Sequence, residues 1–124
     1  MARSQLRSKR KISGGRYRSA RTKRKRELAR LPTLTRLGEK KVKKLRVRGG
    51  HQKRILLALK EVNLTDKQGK TQKVEILNII ENPANPNFVR RNIITKGTII
   101  ETKLGKARIT SRPGQESTLN ATLI

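Results

Sequence analysis

Residues 53–64 read Lys-Arg-Ile-Leu-Leu-Ala-Leu-Lys-Glu-Val-Asn-Leu, and residues 71–81 read Thr-Gln-Lys-Val-Glu-Ile-Leu-Asn-Ile-Ile-Glu. Between them Asp66-Lys-Gln-Gly69 is a turn signal that ends on glycine. In the first stretch Ile55, Leu57 and Leu59 recur at period two, with Leu56, Ala58 and Val62 on the opposite face. That pattern predicts one strand, Lys53 to Leu64, buried on both sides. In the second stretch Val74, Ile76 and Ile80 fall on one face, and Leu77 and Ile79 on the other. A second strand, Thr71 to Glu81, is expected.

The same grammar extends in both directions. Upstream, Val42 to Arg48 is a basic extended stretch stopped by Gly49-Gly50. Downstream, residues 82–87 carry two prolines and three asparagines and form a loop. Strands are expected at Val89–Thr95, Thr98–Lys103 and Lys106–Ser111, with Lys96-Gly97 and Leu104-Gly105 as the breaks. After the Pro113-Gly114 turn, Leu119, Ala121 and Leu123 alternate with polar residues in a last strand. About six short β segments are expected, with no helix in this part. Open edges on a small aliphatic sheet invite aggregation, and closure removes them. The fold class is therefore mostly β: a small closed β-barrel of about six strands with an extended basic N-terminal arm. A small β-sandwich is the alternative.

Charge divides differently from hydrophobicity. The 124 residues hold 33 Lys or Arg against 8 Asp or Glu, a net of 33 − 8 = +25. An ordinary small domain carries a net charge of magnitude roughly 2–8. Residues 1–54 hold 22 cations and 2 acids (+20), and residues 55–124 hold 11 and 6 (+5). The excess lies in the part with least apolar content, which predicts an arm that orders only on a polyanion. Within it, Ser13-Gly14-Gly15 reads as a flexible break, and residues 19–31 are helix-permissive up to Pro32. Lys23 and Glu27 stand four apart, in the weaker order for a helical pair. Thr33 caps a short turn through Leu34 and Leu37 that Gly38 closes.

Absences exclude whole classes of chemistry. There is no Cys and a single His, His51, so thiolate zinc sites, cysteine nucleophiles and His-based triads are out. His51 is expected in a turn or against a phosphate. Asp66 is the lone Asp and sits in a turn; the Glu residues are scattered, so clustered carboxylates for metal-dependent hydrolysis are missing. No enzyme activity, cofactor, metal or small-molecule substrate is expected. No apolar run approaches 18 residues, and no apolar stretch follows the basic N-terminus as in a secretory signal. No membrane contact is expected, a cytoplasmic location is, and the sequons at Asn63 and Asn120 are chance matches.

The cations come in runs: four in five from Arg7 to Lys11, five in six from Arg21 to Arg26, six in nine from Lys40 to Arg48. Such runs release counterions from nucleic acid. The bland alternative, a solvated charged face, needs fewer cations and more interspersed acids. The candidate contacts are Arg7, Lys9, Arg10, Lys11, Arg16, Arg18, Arg21, Lys23, Arg24, Lys25, Arg26 and Arg30 in the arm. Lys41, Lys43, Lys44, Arg46, Arg48 and Arg54 follow. Gly14, Gly15, Gly49 and Gly50 offer backbone N–H groups at close approach, although plain flexibility explains them equally well. Tyr17 is a candidate for stacking on a base, or merely an ordered aromatic. Arg90, Arg91, Arg108 and Arg112 are expected on one rim of the barrel. Seventeen of the 33 cations are Arg, which suits a folded RNA with splayed bases better than bulk charge alone does.

The order of several blocks carries a resemblance. Ser13-Gly14-Gly15-Arg16, Lys25-Arg26-Glu27-Leu28, Pro32-Thr33-Leu34-Thr35 and Val47-Arg48-Gly49-Gly50 stand in the first half. The second half has residues 81–85 (Glu-Asn-Pro-Ala-Asn), 88–97 (Phe-Val-Arg-Arg-Asn-Ile-Ile-Thr-Lys-Gly), 104–108 (Leu-Gly-Lys-Ala-Arg) and 110–115 (Thr-Ser-Arg-Pro-Gly-Gln). Over essentially its whole length the chain resembles the "S-eight-e" family of small-subunit ribosomal proteins of archaea and eukaryotes, in its compact archaeal form. Ser13 replaces an expected Thr, and Ala29 and Leu31 also depart from the family pattern. The resemblance implies a structural, non-catalytic role in translation. It implies binding to small-subunit rRNA in the body of that subunit, beside neighbouring small-subunit ribosomal proteins. It also implies that Lys11, Ser13, Gly14, Gly15 and Arg16 belong to an N-terminal RNA-binding motif. Residues 1–41 are then a basic rRNA-binding extension and residues 42–124 the barrel domain. A free nucleic-acid-compacting protein of the chromatin type is the competing reading.

Overall fold

The computed structural model describes residues 7–18, 21, 22, 24 and 30–124. The chain separates into two compact units, residues 1–32 and 33–124. The expected helix-permissive stretch and the Lys23–Glu27 pair fall mostly outside the described residues.

The larger unit is built from nine strands. They are β1 (Thr35–Arg36), β2 (Lys41–Arg46), β3 (Gln52–Ala58), β4 (Glu61–Thr65), β5 (Thr71–Glu81), β6 (Ile93–Ile94), β7 (Ile99–Thr102), β8 (Gly105–Ile109) and β9 (Asn120–Leu123). Five of them close a barrel in the order β4-β5-β7-β8-β9. All its pairs are antiparallel except β4 with β9, which is parallel and shuts the barrel. The other four form a sheet in the order β2-β3-β1-β6. One aliphatic core serves both. Val62, Leu64, Ile76, Ile79, Ile100, Ile109 and Leu119 come from the barrel side, and Leu56, Leu59 and Ile94 join them from the sheet.

Three expectations change between residues 53 and 95. The single strand expected over Lys53–Leu64 is two, β3 and β4, and they enter different sheets. The break falls at Leu59-Lys60, where the Leu59 N–H donates to the Arg36 carbonyl and the Ile76 N–H donates to that of Lys60. Continuous apolarity there reflects the shared core. Strict alternation along residues 71–81 is also broken. Pairing with β7 shifts between Ile76 and Asn78 and again between Ile79 and Glu81. Each bulge advances the pleat by one residue, so Ile76 and Ile79 both point inward, and Leu77 and Ile80 are exposed. Finally, Val89–Thr95 is not a strand throughout, and this part does contain helix. Residues Asn87–Arg90 form one short helical turn, α1. Pro86 stands at its start with φ −57, a helical value, and the Asn85 side chain accepts the Asn87 N–H at 2.9 Å.

The capped turn expected at Thr33–Gly38 is instead strand β1, bridging β3 and β6. Thr35 is fully buried and its hydroxyl donates to the Leu56 carbonyl at 2.8 Å. Leu37 N–H donates to the Asn92 carbonyl. The larger unit thus begins at Thr33, before the composition shift at Val42.

The loop after β5 is anchored by Asn82, which is buried. Its amide nitrogen donates to the Ile93 carbonyl at 3.1 Å, and its amide oxygen accepts from the Ala84 N–H and the Thr95 hydroxyl at 3.1 and 3.0 Å. Asn82→Leu leaves these groups unpaired in the interior, at about 1–3 kcal/mol for each that finds no water. A drop in Tm on the order of 10 °C is expected in a thermal melt. A drop under about 2 °C would show the loop is held by other contacts.

Candidate nucleic-acid interface

The N-terminal candidates are organised by a hairpin. Arg10 and Arg16 pair across it. The Tyr17 N–H donates to the Lys9 carbonyl at 3.0 Å, the Lys11 N–H to Gly15 at 2.7 Å, and the Gly14 N–H to Lys11 at 3.0 Å. Gly14 closes this turn at φ +83, a conformation in which a Cβ is strained. The expected flexible break at residues 13–15 is therefore an ordered turn, with Arg10 Nη1 donating to the Gly14 carbonyl at 3.1 Å. The Arg7 guanidinium lies 3.9 Å from the Tyr17 ring centre, and the Lys11 ammonium 5.7 Å from it. These cation–ring contacts, worth about 0.5–1 kcal/mol at an exposed site, tie Arg7 to the hairpin. No acid interrupts residues 7–18. Ile12, at the tip, is fully exposed and was not signalled by any charge pattern.

The second cationic element is the β2–β3 hairpin. Its three-residue turn, Arg48–Gly50, has Gly49 at φ +74 and Gly50 at φ +79. Two consecutive positive φ values are open to glycine at little cost. The Val47 N–H donates to the His51 carbonyl at 2.8 Å, so His51 is a turn residue. Across the ribbon Lys44 faces Arg54 and Arg46 faces Gln52. Directly opposed residues share a face, so Lys44, Arg46 and Arg54 line one side together. The other side, with Leu45 and Lys53 opposed, turns toward the loop after β8: Lys53 Nζ donates to Gln115 Oε1 and the Leu56 N–H donates to the Pro113 carbonyl. That places Arg112, one residue from Pro113, beside the same ribbon. No acid occurs in residues 40–54.

The remaining candidates are spread out. Arg90 ends α1, Arg91 follows it before β6, and Arg108 stands in β8 between Ile99 and Thr122. Arg108 thus lies on the barrel wall, on a different element from Arg90, Arg91 and Arg112. Every described candidate is exposed, from Arg7 through Arg18, Arg21, Arg24 and Arg30, through Lys41, Lys43 and the ribbon, to Arg112. Lys23, Lys25 and Arg26 lie outside the described residues. Arg36 on β1 is a further exposed cation, missed because an isolated Arg gives no run.

The ion pairs Lys73–Glu61, at 2.5 Å, and Lys60–Glu75, at 3.8 Å, take their cations from outside the candidate set. The hydrogen bond from Lys73 holds the Glu61 carboxyl below the usual range, with desolvation opposing it and the charges of Lys73 and Lys40 reinforcing it. A carboxyl lowered in this way stabilises the fold above its unfolded pKa and loses that contribution as pH falls. Among the described residues no group of His, Asp and Glu is placed to hold a metal, and no helix is long and apolar enough to cross a membrane.

A closed aliphatic β-barrel, together with acid-free, exposed cationic hairpins, has the features expected of a nucleic-acid-binding protein. The family model described as Ribosomal protein S8e matches residues 4–124, and the chain belongs to that family. It is similar to the "Small ribosomal subunit protein eS8" of Methanobrevibacter smithii, 55% identical with 100% of each chain covered. The proteins of the same name from Nanoarchaeum equitans and Methanocorpusculum labreanum are 54% and 51% identical over 97% of this chain, covering 95% and 97% of theirs.

Proposed function

We propose that the chain is a structural constituent of the small ribosomal subunit that binds and stabilises folded rRNA, without catalysis, in the cytoplasm. The observation that carries this is the pair of hairpins, Lys9–Tyr17 and β2–β3, exposing cations with no acid among them. The cations of both hairpins displace condensed counterions from the RNA phosphates, and the Gly turns let the backbone approach the RNA closely. Arg side chains add planar forks and stacking that compact charge alone does not give. Residues 1–32 supply an extension that follows the RNA, and the larger unit, which starts at Thr33, sets where that extension begins.

Competition binding tests this. The full chain is titrated with small-subunit rRNA and with duplex DNA of equal length at about 150 mM salt, and its position in a lysate gradient is recorded. Preference for the rRNA by at least tenfold and migration with small subunits are expected. Equal affinity for both polymers together with absence from small subunits makes it a general nucleic-acid compactor instead.

A further inference from the structure

One face of the N-terminal hairpin is gathered around the Tyr17 ring. Arg10 and Arg16 pair across the hairpin, and the Tyr17 N–H donates to the Lys9 carbonyl, so Lys9 stands opposite Tyr17 and shares its face. Lys11 reaches the same ring with its ammonium 5.7 Å from the centre, and Arg7 with its guanidinium carbon 3.9 Å from it. By strand alternation Arg10 and Arg16 turn to the opposite face. A separation of 3.9 Å leaves no room for an N–H group between the guanidinium carbon and the ring, so the flat face of the guanidinium makes the contact. Its N–H donors lie in the guanidinium plane and remain for an oxygen acceptor. No carboxylate occurs in residues 7–18 to take them. Tyr17 is itself 41% exposed, so the ring is a surface seat and not part of a core.

We propose that Tyr17 is a positioning residue for RNA binding: its ring seats Arg7 so that the guanidinium fork, with Lys9 and Lys11 on the same face, grips a phosphate of the rRNA backbone. The inference rests on the small-subunit reading above and deepens it, giving the ring a role through Arg7 instead of a stack on a base. Like charges crowded on one face repel one another, and a phosphate entering among them removes that repulsion. Because the ring holds the fork before RNA arrives, less side-chain freedom is lost on binding. The contact uses the face of the ring and not its hydroxyl, so phenylalanine serves in this role and leucine does not.

Filter binding of the full chain to small-subunit rRNA over a series of salt concentrations tests this with Y17F, Y17L, R7Q and the double variant Y17L/R7Q. Y17F should bind as the native chain does. Y17L should weaken binding about three- to fivefold, the size of one cation–ring contact. It should also lower the magnitude of the salt slope by about 0.7–0.9, as R7Q does. In the R7Q background Y17L should cost nothing further. An equal loss from Y17L with and without Arg7 means that the ring meets the RNA itself, and overturns the proposal. So does an unaffected Y17L, or a loss in Y17F that matches the loss in Y17L. A slope that falls in Y17L by clearly more than in R7Q also overturns it, because the ring then holds the whole hairpin together and not Arg7 alone. Failure of the native chain to prefer rRNA over duplex DNA overturns instead the reading beneath it.

Discussion

Replacing Arg7, Lys9, Arg10, Lys11, Arg16 and Arg18 with Gln will make rRNA binding both weaker and much less sensitive to salt. Each phosphate contact contributes about −0.7 to −0.9 to the slope of log affinity against log salt, so six contacts contribute about four to five. Between 50 and 200 mM salt the gap between native chain and variant should then narrow by a factor on the order of 10²–10³. The hairpin places these cations around one turn, exposed and with no acid between them. K44Q, R46Q and R54Q together should remove about two to three units of slope, because these three line one side of the β2–β3 ribbon. Filter binding at four salt concentrations reads both. An unchanged slope in the first variant would mean the N-terminal hairpin does not contact phosphate at all.

Ile79→Ala should cost about 2–5 kcal/mol, whereas the neighbouring Ile80→Ala should cost less than about 1. Ile79 is 3% exposed within the shared core, and Ile80 is 40% exposed outside it. The larger loss corresponds to a fall in Tm on the order of 10–25 °C for a unit of this size. Urea unfolding of both variants decides it. The reverse order, with Ile80 critical and Ile79 tolerant, is what strict period-two alternation from Ile76 implies. It would show that the β5 bulges are absent.

These two residues mark where sequence reading stops. Alternation identifies β5 correctly as a strand from Thr71 to Glu81, because apolar side chains must leave water in any arrangement. A bulge is invisible to that logic. Which of Ile79 and Ile80 turns inward depends on pairing with β7, far along the chain. The same holds at Leu59-Lys60, where one apolar run serves a sheet and then a barrel. It holds for Thr35 too, since nothing local announces that its hydroxyl is matched to the Leu56 carbonyl.

The candidate site was legible in kind but not in arrangement. Runs of Lys and Arg are local, so the basic segments stand out in one dimension. The charge boundary at residue 54 is nonetheless not the structural one. Residues 1–32 carry 13 cations and 1 acid, a net of +12, so +8 of the +20 in residues 1–54 belongs to folded strands and turns. Arg112 joins the β2–β3 ribbon through the Pro113 and Gln115 contacts, whereas Arg108 goes to the barrel wall.

Sequence by itself determined the β class, the positions of most turns, the basic segments and the family resemblance. Each depends on residue type and short spacing, which survive without knowing what packs on what. Only the tertiary structure decided which strands close the barrel, where β5 changes phase, and which cations share a face. Those follow from contacts between residues distant in sequence. They also turned Ile79 into the core and Ile80 out of it, the reverse of what alternation from Ile76 dictates, because the β5–β7 register shifts between the two.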